Sequence, residues 1–281
     1  MKFGIVVKKG HKKGEELASK VKPYLKSKSH EVLGENNLKD ADYILTFGGD
    51  GTLIHTACEY AFLDIPFVGI NTGELGFLTS IEADEWQKGL EQLILGKVII
   101  SERMTLDASI EKLQTPNSKL QTLFRAVNEV VIKGLYRVID LEIEVDNESF
   151  LKVSGDGVIV ATQTGSTAYS LSAGGPIVDP GLDCFLVTPI NPIGLPIPSV
   201  VISPKDQIRI TIIKGDDISL IIDGQEHMKL SQSSTFAKAS AGRQSVKVKR
   251  GKYNIKFGYF DKHRFIKSLN AKFGLSGRSR G

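Results

Sequence analysis

Apolar and polar positions in the first hundred residues alternate in the manner of strands and amphipathic helices. Short apolar runs, which are typical of buried strands, occupy residues 3–7, 43–47 and 66–70. Segments with apolar positions at helical spacing occupy residues 15–26, 52–60 and 84–95. Because strands alternate with helices, the pattern predicts an α/β domain built on a parallel sheet, whose ligand sites lie at the carboxyl ends of the strands.

From about Ser101 the pattern changes to short β-rich runs separated by turn signals. The predicted strands lie at 106–113, 120–132, 138–145, 158–162, 185–188, 208–213 and 218–222. The predicted turns lie at 115–117, 146–147 and 214–217. This pattern predicts an all-β second domain.

A glycine-rich loop, Gly48-Gly49-Asp50-Gly51-Thr52, follows the predicted strand at 43–47. Glycines allow backbone N–H groups to approach a phosphate closely, and Thr52 is placed to cap a helix whose positive end favours the same anion. Asp50 repels a phosphate, so its position is explained if it accepts a proton from an attacking hydroxyl or helps to position a metal ion. An isolated Asp-Gly pair is commonly an ordinary turn, but the complete pentapeptide after a strand favours a function.

A second segment is rich in hydroxyl groups. From Thr162 to Ser172 there are six serine and threonine side chains and one aromatic ring, that of Tyr169. Such a strip can hydrogen-bond ribose and phosphate oxygens while the ring stacks on a base. A capped helix after a strand would explain Ser166 or Thr167, but not the whole set of hydroxyls.

These segments together resemble the NAD kinase family. The motifs that carry the resemblance occur in the family's order at 48–52, 71–78, 128–132, 156–176 and 223–225, and they cover nearly the whole chain. Diacylglycerol kinases, sphingosine kinases and phosphofructokinases carry sequences similar to the first motif. The run Thr-Gly-Ser-Thr-Ala-Tyr from Thr164 to Tyr169 narrows the resemblance to NAD kinases.

The resemblance implies an NAD kinase-like architecture of two domains. An α/β phosphate-binding domain is expected at residues 1–100, completed by about 258–281, and the stretches 253–257 and 265–275 are expected to return to it. A β-rich domain is expected at 101–257, where it would bind NAD and carry the contacts between subunits.

The resemblance also implies the reaction, which is Mg²⁺-dependent transfer of a terminal phosphoryl group to the 2′-hydroxyl of the adenosine ribose of NAD, giving NADP. Asp50 is then the catalytic residue that accepts the hydroxyl proton, and the donor phosphates contact Gly48, Gly49, Gly51 and Thr52. Mg²⁺ or another divalent metal is expected on those phosphates, and no metal-ligating residue is assigned, because the sequence has no carboxylate cluster with ligand spacing. ATP and polyphosphate both remain open as donors.

The nucleotide-binding residues that the resemblance implies lie in three of the motifs. They are Asn128, Glu129, Asp156, Thr167, Ala168, Tyr169, Ser170, Leu171, Ser172 and Gln225. His55 and Arg137 join them, because relatives often carry a basic residue at these places. From the residues alone, turns account equally well for Asn128-Glu129 and Asp156, and a hairpin turn accounts for Asp223-Gly224.

Two places depart from the family's pattern. Gln163 replaces a proline that is usual between the two threonines, which loosens the preceding turn. Residues 191–198 lack the histidine and arginine common in the corresponding loop, so no part in charge recognition is assigned to that loop.

Composition narrows the remaining classes. The 281 residues carry 36 basic and 32 acidic side chains, a net charge of +4, and the basic residues are not concentrated on a nucleic-acid-binding face. No apolar run reaches membrane-spanning length, the first strand begins too early for a signal peptide, and two isolated cysteines fit a reducing compartment. We therefore expect a cytoplasmic protein with no nucleic-acid or membrane partner. The resemblance implies a homodimer or homotetramer.

Two other functions remain open from the sequence. A lipid kinase of the diacylglycerol or sphingosine type shares the Gly-Gly-Asp-Gly-Thr loop, but it needs an apolar acyl site, and the hydroxyl-rich strip argues against one. A nucleotide-sensing or polyphosphate-binding module with an inactive loop is weakened by the intact Asp50.

Overall fold

The chain forms two compact units in the computed structural model, which describes residues 1–112, 123–194, 196–230 and 244–274. The first unit consists of Met1–Arg103 together with Tyr253–Gly281, and the second unit is Met104–Lys252.

The strands and helices of the described residues follow one another in this order. The first unit begins with β1 (Lys2–Val7), α1 (Lys12–Ser27), β2 (Glu31–Leu33), β3 (Tyr43–Phe47), α2 (Asp50–Glu59), β4 (Phe67–Asn71), β5 (Ile81–Glu82), α3 (Trp86–Ile94) and β6 (Ile99–Arg103). The second unit holds β7 (Leu106–Lys112), β8 (Leu123–Ala126), β9 (Glu129–Gly134), β10 (Ile139–Val145), β11 (Glu148–Gly155), β12 (Gly157–Thr162), α4 (Tyr169–Ser172), β13 (Phe185–Ile190), β14 (Val200–Ile202), β15 (Ile208–Lys214), β16 (Ile218–Ile222), β17 (Gln225–Leu230) and β18 (Gln244–Arg250). The chain then returns to the first unit with β19 (Ile255–Tyr259) and α5 (Arg264–Phe273).

The sheet of the first unit has the strand order β2-β1-β3-β4-β19-β6, with β5 beside β4. Its pairs are parallel except for β19 with β6. Helices α1 and α3 cover one face, where Val21 and Leu90 join a buried cluster with Val68 and Ile70 of β4. The apolar faces of both helices therefore pack on the same side of the sheet.

Helix α2 covers the opposite face of this sheet. Side chains alternate along β4, so Gly69 faces away from the layer that holds Val68 and Ile70. A methyl group added at Gly69 would lie 2.9 Å from Leu53 Cδ2, so glycine leaves room for the close approach of α2. The carboxyl ends of β1, β3 and β4 lie at one edge of the sheet, and the glycine-rich loop leaves the sheet at that edge.

The second unit is a sandwich of two antiparallel sheets. Their strand orders are β11-β10-β15-β18-β7-β8 and β14-β13-β12-β9-β16-β17. The facing sides share one apolar core, to which Ile143 and Val246 contribute from the first sheet and Ile132 and Val160 from the second. Strand β9 is buried on both faces, because Val131 points into a second apolar cluster on the outer side.

The predicted fold class is confirmed, with an α/β first unit on a mainly parallel sheet and a β-rich second unit. One predicted strand, at 120–132, is wrong as a single element. Strand β8 ends at Ala126 and β9 begins at Glu129. The physical reason is that the backbone N–H groups of residues 127–129 bind the Asp223 side chain rather than a neighbouring strand.

The strands that the hydrophobic pattern missed are short, lie at sheet edges or alternate with lysines. They are β2, β5, β6, β11, β14, β17 and β18. In β18, Val246 and Val248 enter the core and alternate with Lys247 and Lys249, which weakens the apolar signal. The predicted turn at 115–117, the strand ends at 113 and 120–122, and the last residue of the 265–275 stretch lie outside the described residues. No helix in the described part of the chain is both long and apolar enough to cross a membrane.

Candidate active site

The glycine-rich loop connects β3 to the N-terminus of α2. The helix begins at Asp50, with Gly49 as its N-cap residue, and no side chain bonds this cap. The expectation that Thr52 caps the helix is therefore wrong, because Thr52 already lies in the first helical turn. The first backbone N–H groups of a helix have no partner within it and carry its partial positive charge. This end of α2 is therefore suited to an anion.

The glycines of the loop serve two different needs. A methyl group at Gly48 would overlap the Thr52 side chain, so Gly48 is required by packing. Nothing lies within 4 Å of a methyl group built at Gly49 or Gly51, and neither has a positive φ. Packing and backbone conformation therefore do not require glycine at these two positions. The open space beside them is what a ligand needs to reach the backbone.

The Asp50 carboxylate is held by the backbone of a second loop in the same unit. Its Oδ2 accepts the N–H of Phe77 at 2.6 Å, and its Oδ1 accepts the N–H groups of Leu78 and Thr79, both at 3.1 Å. A methyl group at Gly76 would overlap the Asp50 carboxylate, so this approach depends on glycine. The Gly48–Thr52 motif and the 71–78 motif are thus joined through Asp50.

The loop that holds Asp50 is itself fixed at both ends. Asn71 is buried, and its Nδ2 donates to the Glu74 carbonyl at 3.0 Å and to Glu82 Oε2 at 2.9 Å. Helix α5 packs on the far end, where the Phe265 ring lies 6.3 Å from the Phe77 ring and Lys272 Nζ lies 4.3 Å from the Phe77 ring centroid. These contacts fix the orientation of the N–H groups that bind Asp50.

In the second unit, Glu129 is a buried acid at the start of β9, only 4% exposed. The backbone N–H of Tyr169 donates to its carboxyl group, and its Oε2 has no partner among the described residues. Burial raises the pKa of Glu129 to about 8, and the negative charge of Asp223 is the second contribution to this rise. The acid is therefore largely protonated at neutral pH.

Asp223 holds the turn that carries Asn128 and Glu129. Its Oδ2 accepts the N–H of Val127 at 2.8 Å, and its Oδ1 accepts those of Asn128 at 2.7 Å and Glu129 at 3.1 Å. Burial raises the pKa of Asp223, while these hydrogen bonds and nearby His227 oppose the rise. The late Asp-Gly-Gln motif therefore contacts the Asn-Glu motif through backbone hydrogen bonds.

Most hydroxyls of the 162–172 strip are used inside the protein. Thr162 donates to the Val127 carbonyl at 2.6 Å, and Ser166 donates to the Gln163 carbonyl at 2.7 Å. Ser170 is fully buried and shares a hydrogen bond of 3.0 Å with Thr188. Contrary to the expectation from the sequence, internal turns and packing therefore account for most of the hydroxyl density.

Tyr169 lies over the outer face of β9. Its ring packs on the cluster that contains Val131, and Lys133 Nζ donates to its hydroxyl at 3.2 Å and lies 5.7 Å from the ring centroid. Lys133 was not identified from the sequence. Its signal was present, because residues 129, 131 and 133 share one face of a strand.

Comparisons with known proteins identify the family of this chain. Residues 35–98 match the ATP-NAD kinase N-terminal domain, and residues 127–251 match the ATP-NAD kinase C-terminal domain. The chain belongs to the NAD kinase family. The resemblance read from the motifs is therefore confirmed.

Relatives of this NAD kinase family member match along most of their length. The NAD kinase of Fusobacterium nucleatum subsp. nucleatum is 35% identical over 264 residues, which are 91% of this chain and 95% of the relative. The NAD kinase of Natranaerobius thermophilus is 38% identical over 248 residues, covering 87% of this chain and 80% of the relative.

Two solved structures have the same fold. Yeast NADH kinase complexed with NADH superposes with a TM-score of 0.82 at 23% identity, covering 100% of this chain and 89% of that one. An NAD kinase from Archaeoglobus fulgidus in complex with ATP superposes with a TM-score of 0.70 at 25% identity, covering 95% of this chain and 96% of that one.

Within each unit, the structure brings some of the candidate NAD kinase residues together. In the first unit, Gly48, Gly49, Asp50, Gly51 and Thr52 surround the N-terminus of α2, with exposed His55 one turn further along the helix. In the second unit, the residues after β12 and those before β9 are adjacent, since a methyl group at Gly165 would overlap the Asn128 backbone. Thr167, Ala168 and Leu171 are partly exposed here, and Ser172 and Gln225 are exposed.

Asp156 and Arg137 lie apart from Glu129 on the same sheet. Gly134 ends β9 and donates its N–H to the Asp156 carbonyl at 2.9 Å, whereas Glu129 begins β9 and pairs with Ala161. Strand geometry separates the two ends of β9 by roughly 16 Å. Asp156 accepts a hydrogen bond from Asn191 at 2.8 Å, and Arg137 is exposed in the turn after β9.

Proposed function

We propose that this protein is an NAD kinase that transfers the terminal phosphoryl group of its donor to the 2′-hydroxyl of the adenosine ribose of NAD. The observation that carries the proposal is the arrangement at α2 in a chain of this family. An oriented carboxylate, Asp50, stands at a helix N-terminus beside the open backbone of Gly49 and Gly51. This combination supplies a phosphate site and a proton acceptor in one loop.

In the proposed reaction the ribose 2′-oxygen attacks the terminal phosphorus, the bond from that phosphorus to its bridging oxygen breaks, and Asp50 accepts the hydroxyl proton. Among the described residues, Oδ1 of Asp50 accepts two backbone N–H groups and Oδ2 accepts one. Because Oδ2 has more free acceptor capacity, we assign the proton to Oδ2. The backbone N–H groups at the start of α2 would bind the donor phosphates.

A divalent cation such as Mg²⁺ would neutralise charge on the donor phosphates when bound. The described residues include no group of three or more His, Cys, Asp or Glu side chains that could hold a metal ion. The oxygens of Asp50 already accept backbone N–H groups. This donor set fits a cation that is carried mainly by phosphate oxygens.

On the acceptor side, we propose that NAD contacts the second unit. Asn128, Glu129, Thr167, Ala168, Tyr169, Leu171, Ser172 and Gln225 are the proposed contacts in one chain. Their support is the adjacency of the turns that carry them and the partly exposed ring of Tyr169, an aromatic group that can stack on a base. Ser170 would act through packing, since its hydroxyl is bonded to Thr188.

The direct test is to incubate the purified protein with Mg²⁺ and ATP or polyphosphate, together with NAD or a diacylglycerol, and to measure NADP and phosphorylated lipid. We expect NADP only. Lipid phosphorylation would favour the lipid kinase alternative, for which the comparisons give no support. Binding of ATP and NAD without any product would favour a sensing module. We also propose a cytoplasmic location, which fits the finding that neither Cys58 nor Cys184 is in a disulfide.

Tyr169→Ala tests the dinucleotide site. Loss of the ring should raise the KM for NAD about tenfold and leave the KM for the donor unchanged, because stacking contributes to binding more than to the chemical step. Steady-state kinetics with each substrate varied in turn measures this. Tyr136→Ala, at a position that is 84% exposed, is the matched control and should change neither constant. If the KM for the donor rises instead, Tyr169 contacts the donor and not NAD.

We propose a homodimer or homotetramer in which a neighbouring subunit helps to form each dinucleotide site. The support is that Asp156 and Arg137 lie at the opposite end of β9 from Glu129, so one chain does not gather all the proposed contacts.

Asp156→Ala and Tyr169→Ala would each impair every site in their own oligomer. Mixed and allowed to exchange subunits, they should regain activity, because some sites then combine two intact halves. Activity equal to the mean of the two variants would contradict a shared site.

A further inference from the structure

The Asp223 side chain makes an unusual set of contacts for a hairpin-turn residue. It lies between β16 and β17, and its φ of 47° is in the left-handed region. Its carboxylate accepts the N–H groups of three consecutive residues, Val127, Asn128 and Glu129, at 2.7–3.1 Å. These residues precede it by 94–96 positions, so the contact ties two distant motifs together.

These hydrogen bonds satisfy the N–H groups of residues 127–129, where the chain passes from β8 to β9. Strand β8 ends at Ala126 and β9 begins at Glu129. A buried backbone N–H without an acceptor is costly, and one carboxylate satisfies three of them here. The turn therefore has one defined conformation, in which the Glu129 side chain is buried and the Asn128 side chain is partly exposed.

A neutral side chain such as Asn could also accept N–H groups of this turn. Asp223 differs from it because it places a second acid beside Glu129. A partly buried carboxylate beside the buried Glu129 favours a proton on Glu129. Two groups act on Glu129, which are Asp223 of the β16–β17 turn and the backbone N–H of Tyr169 in α4. His227 of β17 acts on Asp223 and lowers its pKa. Asp223 therefore binds the backbone that carries Glu129 and, after burial, contributes to the raised pKa of this acid.

We propose that Asp223 is a positioning residue for dinucleotide binding, which fixes the 127–129 backbone so that Asn128 and Glu129 are presented to NAD. The proposal rests on the proposed function, because NAD is taken as the ligand of these two side chains. It adds Asp223 to a motif in which the sequence indicated only Gln225, an exposed residue at the start of β17.

The experiment compares Asp223→Asn and Asp223→Ala with the wild-type protein. Asn keeps one acceptor oxygen, so it retains part of the N–H contacts, whereas Ala removes all of them. Asp216→Asn is the matched control, since Asp216 is exposed in the turn at the other end of β16. We expect the KM for NAD to rise about threefold in Asp223→Asn and about tenfold or more in Asp223→Ala, with the KM for the donor unchanged.

Two further readouts separate positioning from a loss of stability. Amide hydrogen exchange at 127–129 in the ligand-free protein should become about tenfold faster in Asp223→Ala, while exchange in the β9 centre is retained. In the wild type, the KM for NAD should rise with pH as Glu129 ionises near pH 8. Asp223→Asn removes a negative charge beside Glu129, so this rise should move to lower pH.

Unchanged exchange at 127–129 in Asp223→Ala would overturn the proposal, and so would equal changes in the KM values for NAD and donor. If Asp223→Ala does not fold, the Asp223→Asn kinetics and pH profile decide. NADP formation by the wild type tests the proposed function separately. If NADP is absent while NAD binds, the Kd for NAD by calorimetry replaces KM in the same comparison.

Discussion

Asp50→Asn is expected to lower kcat by about 10²-fold or more, at the low end of what a general base contributes. The substitution removes the proton acceptor and also one loop contact. With the amide nitrogen in place of Oδ2, the Phe77 N–H loses an acceptor that now lies at 2.6 Å. Although Asn has nearly the same shape as Asp, the variant is therefore expected to alter the loop as well as the chemistry. Stopped-time measurement of NADP formation at saturating substrates gives kcat.

A second variant separates the two roles of Asp50. Gly76→Ala keeps the carboxylate but forces it away from the Phe77–Thr79 backbone, because the added methyl group overlaps it. We expect a lower kcat than in the wild type but a smaller loss than in Asp50→Asn, because Gly76→Ala retains the proton acceptor. Asp40→Asn, at an exposed position in the same unit, is the control and should be fully active. If Asp50→Asn turns over within a few-fold of the wild type, Asp50 is not the base.

Glu129→Gln is expected to change the pH dependence of stability. Burial and Asp223 raise the folded-state pKa of Glu129 from 4.5 to about 8. Below pH 4.5 both folded and unfolded chains hold the proton. Between pH 4.5 and 8 the unfolded chain releases it while the folded chain retains it, so stability falls as the pH rises. The total loss is on the order of a few kcal/mol, complete above the folded-state pKa.

Gln cannot ionise, and it retains an oxygen that can accept the Tyr169 N–H. The variant should therefore lose this slope and exceed the wild type in Tm most clearly at high pH. Thermal unfolding at a series of pH values from 5 to about 8.5 measures the difference. Glu148→Gln, an exposed residue of β11, should follow the wild type. Parallel curves for Glu129→Gln and the wild type would show that Glu129 ionises normally in the folded protein.

The two motif carboxylates use the same device. Asp50 binds the N–H groups of residues 77–79, and Asp223 binds those of residues 127–129. In each case a side chain in one motif orders the backbone of another. A carboxylate at each of these positions therefore organises a loop. An amide in place of either carboxylate removes one acceptor oxygen, so it should loosen the loop that the carboxylate binds.

The sequence by itself determined the class of fold and the family. Apolar periodicity is a local property, so it located β3 and β16 with their observed bounds. The glycine-rich loop was also readable locally, because glycines, a strand and a helix start are neighbours in the chain. Polar edge strands such as β11 and β17 were missed, because solvent on one side removes the apolar signal.

Only the tertiary structure decided which groups contact one another. The bonds from Phe77 to Asp50 and from Asn128 to Asp223 span 27 and 95 positions, and no local pattern encodes them. The same holds for the hydroxyl strip. The Ser170 hydroxyl could bind a ligand, but it is hydrogen-bonded to Thr188, 18 positions away. Residue type sets what a side chain can do. Burial and long-range hydrogen bonds decide whether it is free to do it.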